Sequence, residues 1–229
     1  MKSLSFLIPA FNDEMTIREQ VIQCHAIGRK RTIPFEIVVL NDGSSDQTGH
    51  ILSVLSKQIH ELRTYSHAVN KGYGETIKEL YYSARKEWLC TVPGDNQVQA
   101  VEIDKLISHE GNADIIVGWR KNRRETRLRQ CQSFIYNNVI NLFFHLGIHD
   151  VNSVRLMKSE ILEHVVIRGT SAFVDAELMV KATYRGYRIK EIPIEHQSRF
   201  AGTGRGGGGK LNVIFPTIWE MMLLIMNRL

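Results

Sequence analysis

Apolar residues recur along the chain with two different periods, and the two alternate. LSFLIPA (4–10), FEIVVLN (35–41), WLCTV (88–92) and ADIIVGW (113–119) are short apolar runs bounded by turn residues. Runs of that length without polar alternation predict strands buried on both faces. RTYSHAV (63–69) is a weaker strand candidate. Between them, MTIREQVIQCHAI (15–27), TGHILSVLSKQI (48–59), GETIKELYYSAR (74–85) and VEIDKLISHE (101–110) space apolar residues as on one face of a helix. This alternation predicts βαβ units on a mostly parallel sheet flanked by helices. Ligands of such sheets bind beyond the carboxyl ends of the strands.

Polar residues gather at those ends. Pro9, Asn12, Asp13 and Glu14 follow the first strand, and Asn41-Asp42-Gly43-Ser44-Ser45-Asp46 the second. Pro93-Gly94-Asp95-Asn96-Gln97 follows WLCTV, and Gly118-Trp119-Arg120 ends the fifth strand. Taken singly, each reads equally well as a turn with a helix cap. Four in order along one sheet edge point to a ligand site.

Composition adds limits. The chain has 229 residues, 43% hydrophobic and 23% charged, enough for a sizeable core. Its net charge of +5 suits an anionic partner. Cys24, Cys90 and Cys131 are too few and too widely spaced for a disulfide framework or a cysteine zinc site. A reducing cytoplasm is the expected compartment, and MKSLSFLIPAF is too short for a signal peptide. Tyr65, Tyr73 and Trp119 are too scattered for the stacking platform of a nucleic-acid module, so no nucleic-acid partner is expected.

The ordered set IPAFNDE, VVLNDGSSDQT, NKGYGETI, VPGDNQ, GWR, DVNSVRL, FVDAELMVKA and EIPIEHQSRFAGTG resembles family-2 glycosyltransferases of the GT-A fold, nearest to the dolichyl- and polyprenyl-phosphate sugar transferases. The resemblance runs from Leu4 to about Gly204. It implies a UDP- or GDP-sugar donor, Mg²⁺ or Mn²⁺, and transfer with inversion. It also implies that Pro9, Asn12 and Glu14 line the base and ribose pocket. Asp42 would accept from an imide N–H, which uracil and guanine share, and Lys71 and Gly72 would approach the ribose or diphosphate. The family's D-x-D-x-Q turn falls at 93–97, with Pro93 in place of the first Asp and with Asp95 and Gln97 as the implied metal ligands. One carboxylate and one amide oxygen suffice for a cation held mainly by phosphates and water, acting as a Lewis acid on the leaving nucleotide.

On the acceptor side the resemblance implies Arg120, Arg127 and Ser133 at the acceptor phosphate, with Asp150 and Asn152 nearby. Arg199 opens a glycine-rich stretch, RFAGTGRGGGGK, expected to act as a mobile lid. Asp95, Asp175 and Arg127 are the expected catalytic residues. Asp175 would be a general base for a hydroxyl acceptor, but only a positioning group for a polyprenyl phosphate, whose second pKa is about 6.

FIYNNVINLFFHLG (134–147) and AELMVKATYRG (176–186) predict two more helices with apolar faces. The tail LNVIFPTIWEMMLLIMNRL is apolar but interrupted by Asn212, Pro216 and Glu220, which predicts an in-plane amphipathic helix at a membrane or partner surface. Because the chain stops within this helix, a longer chain with membrane-spanning segments is also expected as a possibility. The expected division is a catalytic domain at 1–210 and this helix at 211–229, peripheral to the inner face of a membrane, with a homo-oligomer left open. Two other functions remain open: transfer to a saccharide or other hydroxyl acceptor, and a catalytically silent nucleotide-binding domain.

Overall fold

The structure is a computed structural model and describes residues 1–121, 127–197 and 211–226. Its strands are β1 (Leu4–Ala10), β2 (Phe35–Asn41), β3 (Leu62–Ser66), β4 (Trp88–Thr91), β5 (Ile115–Arg120), β6 (Arg155–Lys158) and β7 (Ile189–Ile194). The helices are α1 (Ile17–Arg31), α2 (Thr48–Ser56), α3 (Tyr73–Ser83), α4 (Ala100–Ser108), α5 (Arg127–Phe144), α6 (Ile161–His164), α7 (Val174–Tyr184) and α8 (Leu211–Met226). The strands form one sheet in the order β3-β2-β1-β4-β6-β5-β7. β1 pairs in parallel with β2 and β4, β2 with β3, and β5 with β7; β6 runs antiparallel to both β4 and β5. The sheet is therefore mostly parallel, as expected, with one reversed strand inserted.

The apolar runs are continuous because both sheet faces are covered. In β1, Leu4, Phe6, Ile8 and Ala10 join one core, with α1, α2 and α4, while Leu7 points to the other. In β2, Ile37 and Val39 enter the first core, and Val38 and Leu40 the second, with α3, α5 and α7. Side chains alternate across a strand, so one unbroken run feeds both layers.

Three elements differ from expectation. β6 and β7 were not anticipated: RLMK and IKEIPI are short and their apolar positions are interrupted by charged residues. The helix at 176–186, read as amphipathic, begins at Val174 and is buried almost all round, Asp175 and Glu177 included. A helix apolar on all sides belongs inside the protein, and its two acids are held there by internal partners.

α8 forms as anticipated and is packed onto the body by Met221, Leu224 and Ile225 against the second core. Phe215, Ile218, Trp219, Met222 and Met226 face outward. No helix among the described residues is long and apolar enough to cross a membrane. Arg199, the glycine-rich stretch 201–210 and residues 122–126 lie outside the described residues.

Candidate active site

The carboxyl ends of β1, β2 and β4 open into a cleft of about 920 Å³. Pro9, Asp42, Lys71, Gly72, Asp95, Gln97, Arg120 and Asn152, all named from the sequence, line it. The turn after β4 is pinned from two sides. Thr16 Oγ1 donates to the Gly94 carbonyl at 2.9 Å. A Cβ on Gly94 would stand 2.9 Å from Asp13 Oδ2 and 3.0 Å from the Pro9 carbonyl, so only glycine lets the turn approach the first loop so closely. Asn96 takes a left-handed φ of 55°, which asparagine tolerates. Asp95 and Gln97 are thereby held in the cleft, 8% and 7% exposed.

Asp42 is more committed than the sequence indicates. Its Oδ1 accepts from His67 Nδ1 (2.7 Å) and the Lys71 backbone N–H (2.8 Å), and its Oδ2 from the Gly72 N–H (2.9 Å). A carboxylate offers about four acceptor positions, so one is left for a base. His67 Nε2 bridges on to Glu79 (3.0 Å), and Lys71 Nζ reaches the same carboxylate (2.9 Å). Burial opposes the His67 charge, but the Asp42 and Glu79 bonds outweigh it and hold the imidazole pKa above its ordinary value. The His67 and Lys71 bonds in turn hold Glu79 below the usual carboxylate range.

Several expected site residues lie elsewhere. Asn12 and Glu14 do not line the cleft: Asn12 Oδ1 accepts from the Ser45 N–H and Glu14 Oε2 from the Gln47 N–H, both at 2.9 Å. They tie the β1 and β2 loops together, and Asp13 between them faces the cleft. Asp150, 1% exposed, takes the Arg120 fork at 2.7 and 2.8 Å and so orients Arg120. Ser133 lies in a neighbouring hollow of about 250 Å³ with Trp119, Phe134 and Arg120. Arg127 does not line the cleft; Arg129 does. Two residues apart on a helix means about 200° of rotation, so the two arginines point to different sides.

Asp175 is sealed inside the protein. It is 0% exposed, 2.8 Å from Arg155 Nη1, and accepts from the Tyr73 hydroxyl at 2.8 Å. Neither Asp175 nor Arg155 lines the cleft; Tyr73 stands between them and it. Burial first, and then the Asp175 charge, push the Tyr73 hydroxyl well above its ordinary pKa, so it stays a donor.

The sequence pattern of Glycosyl transferase family 2 matches residues 5–165. The chain belongs to this family. Among curated relatives, a dodecaprenyl-phosphate galacturonate synthase from Rhizobium johnstonii is 26% identical, covering 89% of this chain and 62% of the relative. Glycosyltransferase AglD from Haloferax volcanii is 24% identical over 86% of this chain and 33% of its own. The chain thus spans less than two thirds of either relative. Among solved structures, glucosyl-3-phosphoglycerate synthase from Mycobacterium tuberculosis with phosphoglyceric acid superposes with a TM-score of 0.74 at 15% identity, covering 97% of this chain and 79% of that one. The same enzyme with Mn²⁺, UDP and phosphoglyceric acid gives 0.73 at 15% identity, over 99% and 78%. These likenesses establish the GT-A fold.

This family-2 cleft has a donor set that suits a hard divalent cation. Gln97 Nε2 donates to the Gln197 carbonyl at 3.2 Å, which leaves the side-chain oxygen as the atom available beside the Asp95 carboxylate. Mg²⁺ and Mn²⁺ take such a pair with phosphate and water oxygens. His196, 3% exposed, and Ser153 also line the cleft; both lie in the quoted motifs but were given no site role from the sequence. His196 would have been found by the strand-end rule had β7 been read, since it follows that strand by two residues.

Proposed function

We propose that this chain transfers a sugar, with inversion, from a UDP- or GDP-sugar to a polyprenyl phosphate at a membrane surface, with Mg²⁺ or Mn²⁺ bound through Asp95 and Gln97. The observation that carries this reading is the pairing of acceptor-side arginines in the cleft, Arg120 and Arg129, with a sealed Asp175. A hydroxyl acceptor needs a base, whereas a phosphate monoester arrives ionised and needs positive charge to hold it. The name of the Rhizobium relative supports a polyprenyl-phosphate acceptor. The outward apolar faces of α5 (Leu128, Ile135, Leu142) and α8 support a membrane surface.

In this scheme Asp42 holds the 67–72 loop and meets the base with its remaining acceptor position. Asp95 and Gln97 hold the cation, which neutralises charge on the departing nucleotide. Arg120, aimed by Asp150, and Arg129 orient the acceptor phosphate oxygen toward the anomeric carbon. The test is a panel of labelled UDP- and GDP-sugars with dodecaprenyl phosphate or oligosaccharide acceptors, with and without Mn²⁺. Metal-dependent labelling of the lipid phosphate is expected. Labelling of saccharides alone would overturn the acceptor assignment.

A further inference from the structure

The loop between α6 and α7 donates four consecutive backbone N–H groups into two carboxylates. Arg168 and Gly169 donate to Glu177 of α7 at 3.1 and 2.7 Å, and Thr170 and Ser171 to Glu220 of α8 at 2.9 and 3.2 Å. The Thr170 and Ser171 hydroxyls donate to the same Glu220 carboxylate at 3.2 and 2.5 Å. The two carboxylates converge at Gly169, where a Cβ would lie 2.8 Å from Glu220 and 2.9 Å from Glu177. On its other side the loop is pressed against α3: a Cβ on Gly74 would sit 2.1 Å and 2.2 Å from the Thr170 and Ser171 carbonyl oxygens. Charge-assisted bonds of this kind are about twice as strong as neutral ones.

This loop is a wall of the cleft. Thr170, Ser171 and Ala172 line it, and so does Pro216 of α8. Glu177 belongs to a buried helix and cannot move independently of the core. Glu220 belongs to a helix whose outward face, from Phe215 through Trp219 to Met226, is apolar and exposed. Whatever covers that face sets the rotation and depth of α8, and Glu220 passes the setting on to Thr170 and Ser171. An anionic bilayer is the occupant that fits: the net charge is +5, Arg127 is exposed at the start of α5, and Trp219 suits the level of the headgroups.

We propose that Glu220 is a positioning residue that couples the seating of α8 on an anionic bilayer to the shape of the acceptor wall of the cleft. The coupling presupposes the polyprenyl-phosphate acceptor proposed above. Seating restricts α8, and a wall already restricted binds its acceptor at a lower entropic cost.

The test is amide hydrogen exchange with and without phosphatidylglycerol vesicles, alongside kinetics with a short-chain, water-soluble prenyl phosphate. In the wild type, vesicles are expected to slow exchange at Thr170 and Ser171 and to lower the acceptor KM by about tenfold, within the usual range of coupling between sites. Glu220→Ala is expected to sediment with vesicles as before. Its Thr170 and Ser171 amides should exchange fast in either condition, while Arg168 and Gly169, held by Glu177, stay protected, and the KM response should vanish. A Glu220→Ala protein that keeps the vesicle response of those two amides, or of the KM, overturns the coupling. Should that variant fail to fold, Glu220→Gln keeps the volume and one acceptor oxygen; an intermediate response supports the coupling and a full one overturns it. A wild type that uses no prenyl phosphate overturns the proposed function instead. The exchange readout needs no turnover and still decides the coupling.

Discussion

Asp175 and Arg155 form an ion pair with 0% and 1% of their surfaces exposed. Asp175→Asn leaves the guanidinium buried without its counter-charge, a loss of about 3–5 kcal/mol. Urea denaturation is expected to show that loss, with kcat per folded molecule largely kept. A general base would behave in the opposite way, with stability kept and kcat lower by about 10²–10⁴-fold. The arginines of α5 separate similarly. Arg129→Ala is expected to raise the acceptor KM by about ten- to a hundredfold, one charge-assisted bond of about 1.5–3 kcal/mol, while Arg127→Ala stays near wild type. Equal effects of the two substitutions would contradict the placement of Arg129 in the cleft. His67 is expected to make donor binding pH-dependent. Bonds to both Asp42 and Glu79 use both ring N–H groups, so the bridge needs the imidazolium. Its folded pKa is raised above 6.5, so the stabilisation is complete below that value and is lost as pH climbs through the raised one. Calorimetric donor affinity should fall across that window in the wild type, and a His67→Gln variant should show a flat, weak profile.

At the scale of elements, Gly74 marks the tightest contact around the cleft. A Cβ there meets two backbone carbonyl oxygens, which cannot rotate away, so Gly74→Ala is expected to cost about 1–3 kcal/mol. An unchanged urea midpoint would show that the loop at 170–171 yields easily. Nothing local marks this glycine among its neighbours, because the contact joins positions 74 and 170. The same holds for much else that the sequence left unread. The runs of β1, β2, β4 and β5 announce themselves because burial on both faces demands continuous apolar residues. β6 and β7 do not, since RLMK begins with an arginine whose partner, Asp175, is twenty residues away. The acids of α7, Asp175 and Glu177, are internal for the same non-local reason. Of the site, the strand-end residues Pro9, Asp42, Asp95, Gln97 and Arg120 were legible. Asp13 stood among the strand-end residues without a role of its own, and Arg129 was missed by two positions, because which neighbour faces a cleft depends on rotations that spacing alone does not give.

For the molecule as a whole, a positive charge of +5 and two exposed apolar helix faces predict reversible binding to anionic membranes. Sedimentation with phosphatidylglycerol vesicles should weaken as salt rises, and Trp219→Ser should weaken it at every salt concentration; binding equally well to neutral vesicles at high salt would contradict an electrostatic contribution. The central claim is that the sugar itself, without its phosphate, moves onto an oxygen of the lipid phosphate. Its most direct test uses dodecaprenyl phosphate carrying ¹⁸O in its phosphate, incubated with the donor that labels best. The account predicts a singly phosphorylated glycosyl lipid that retains all of its ¹⁸O, together with an unlabelled nucleoside diphosphate. Release of a nucleoside monophosphate, with two phosphates between sugar and lipid, would contradict it.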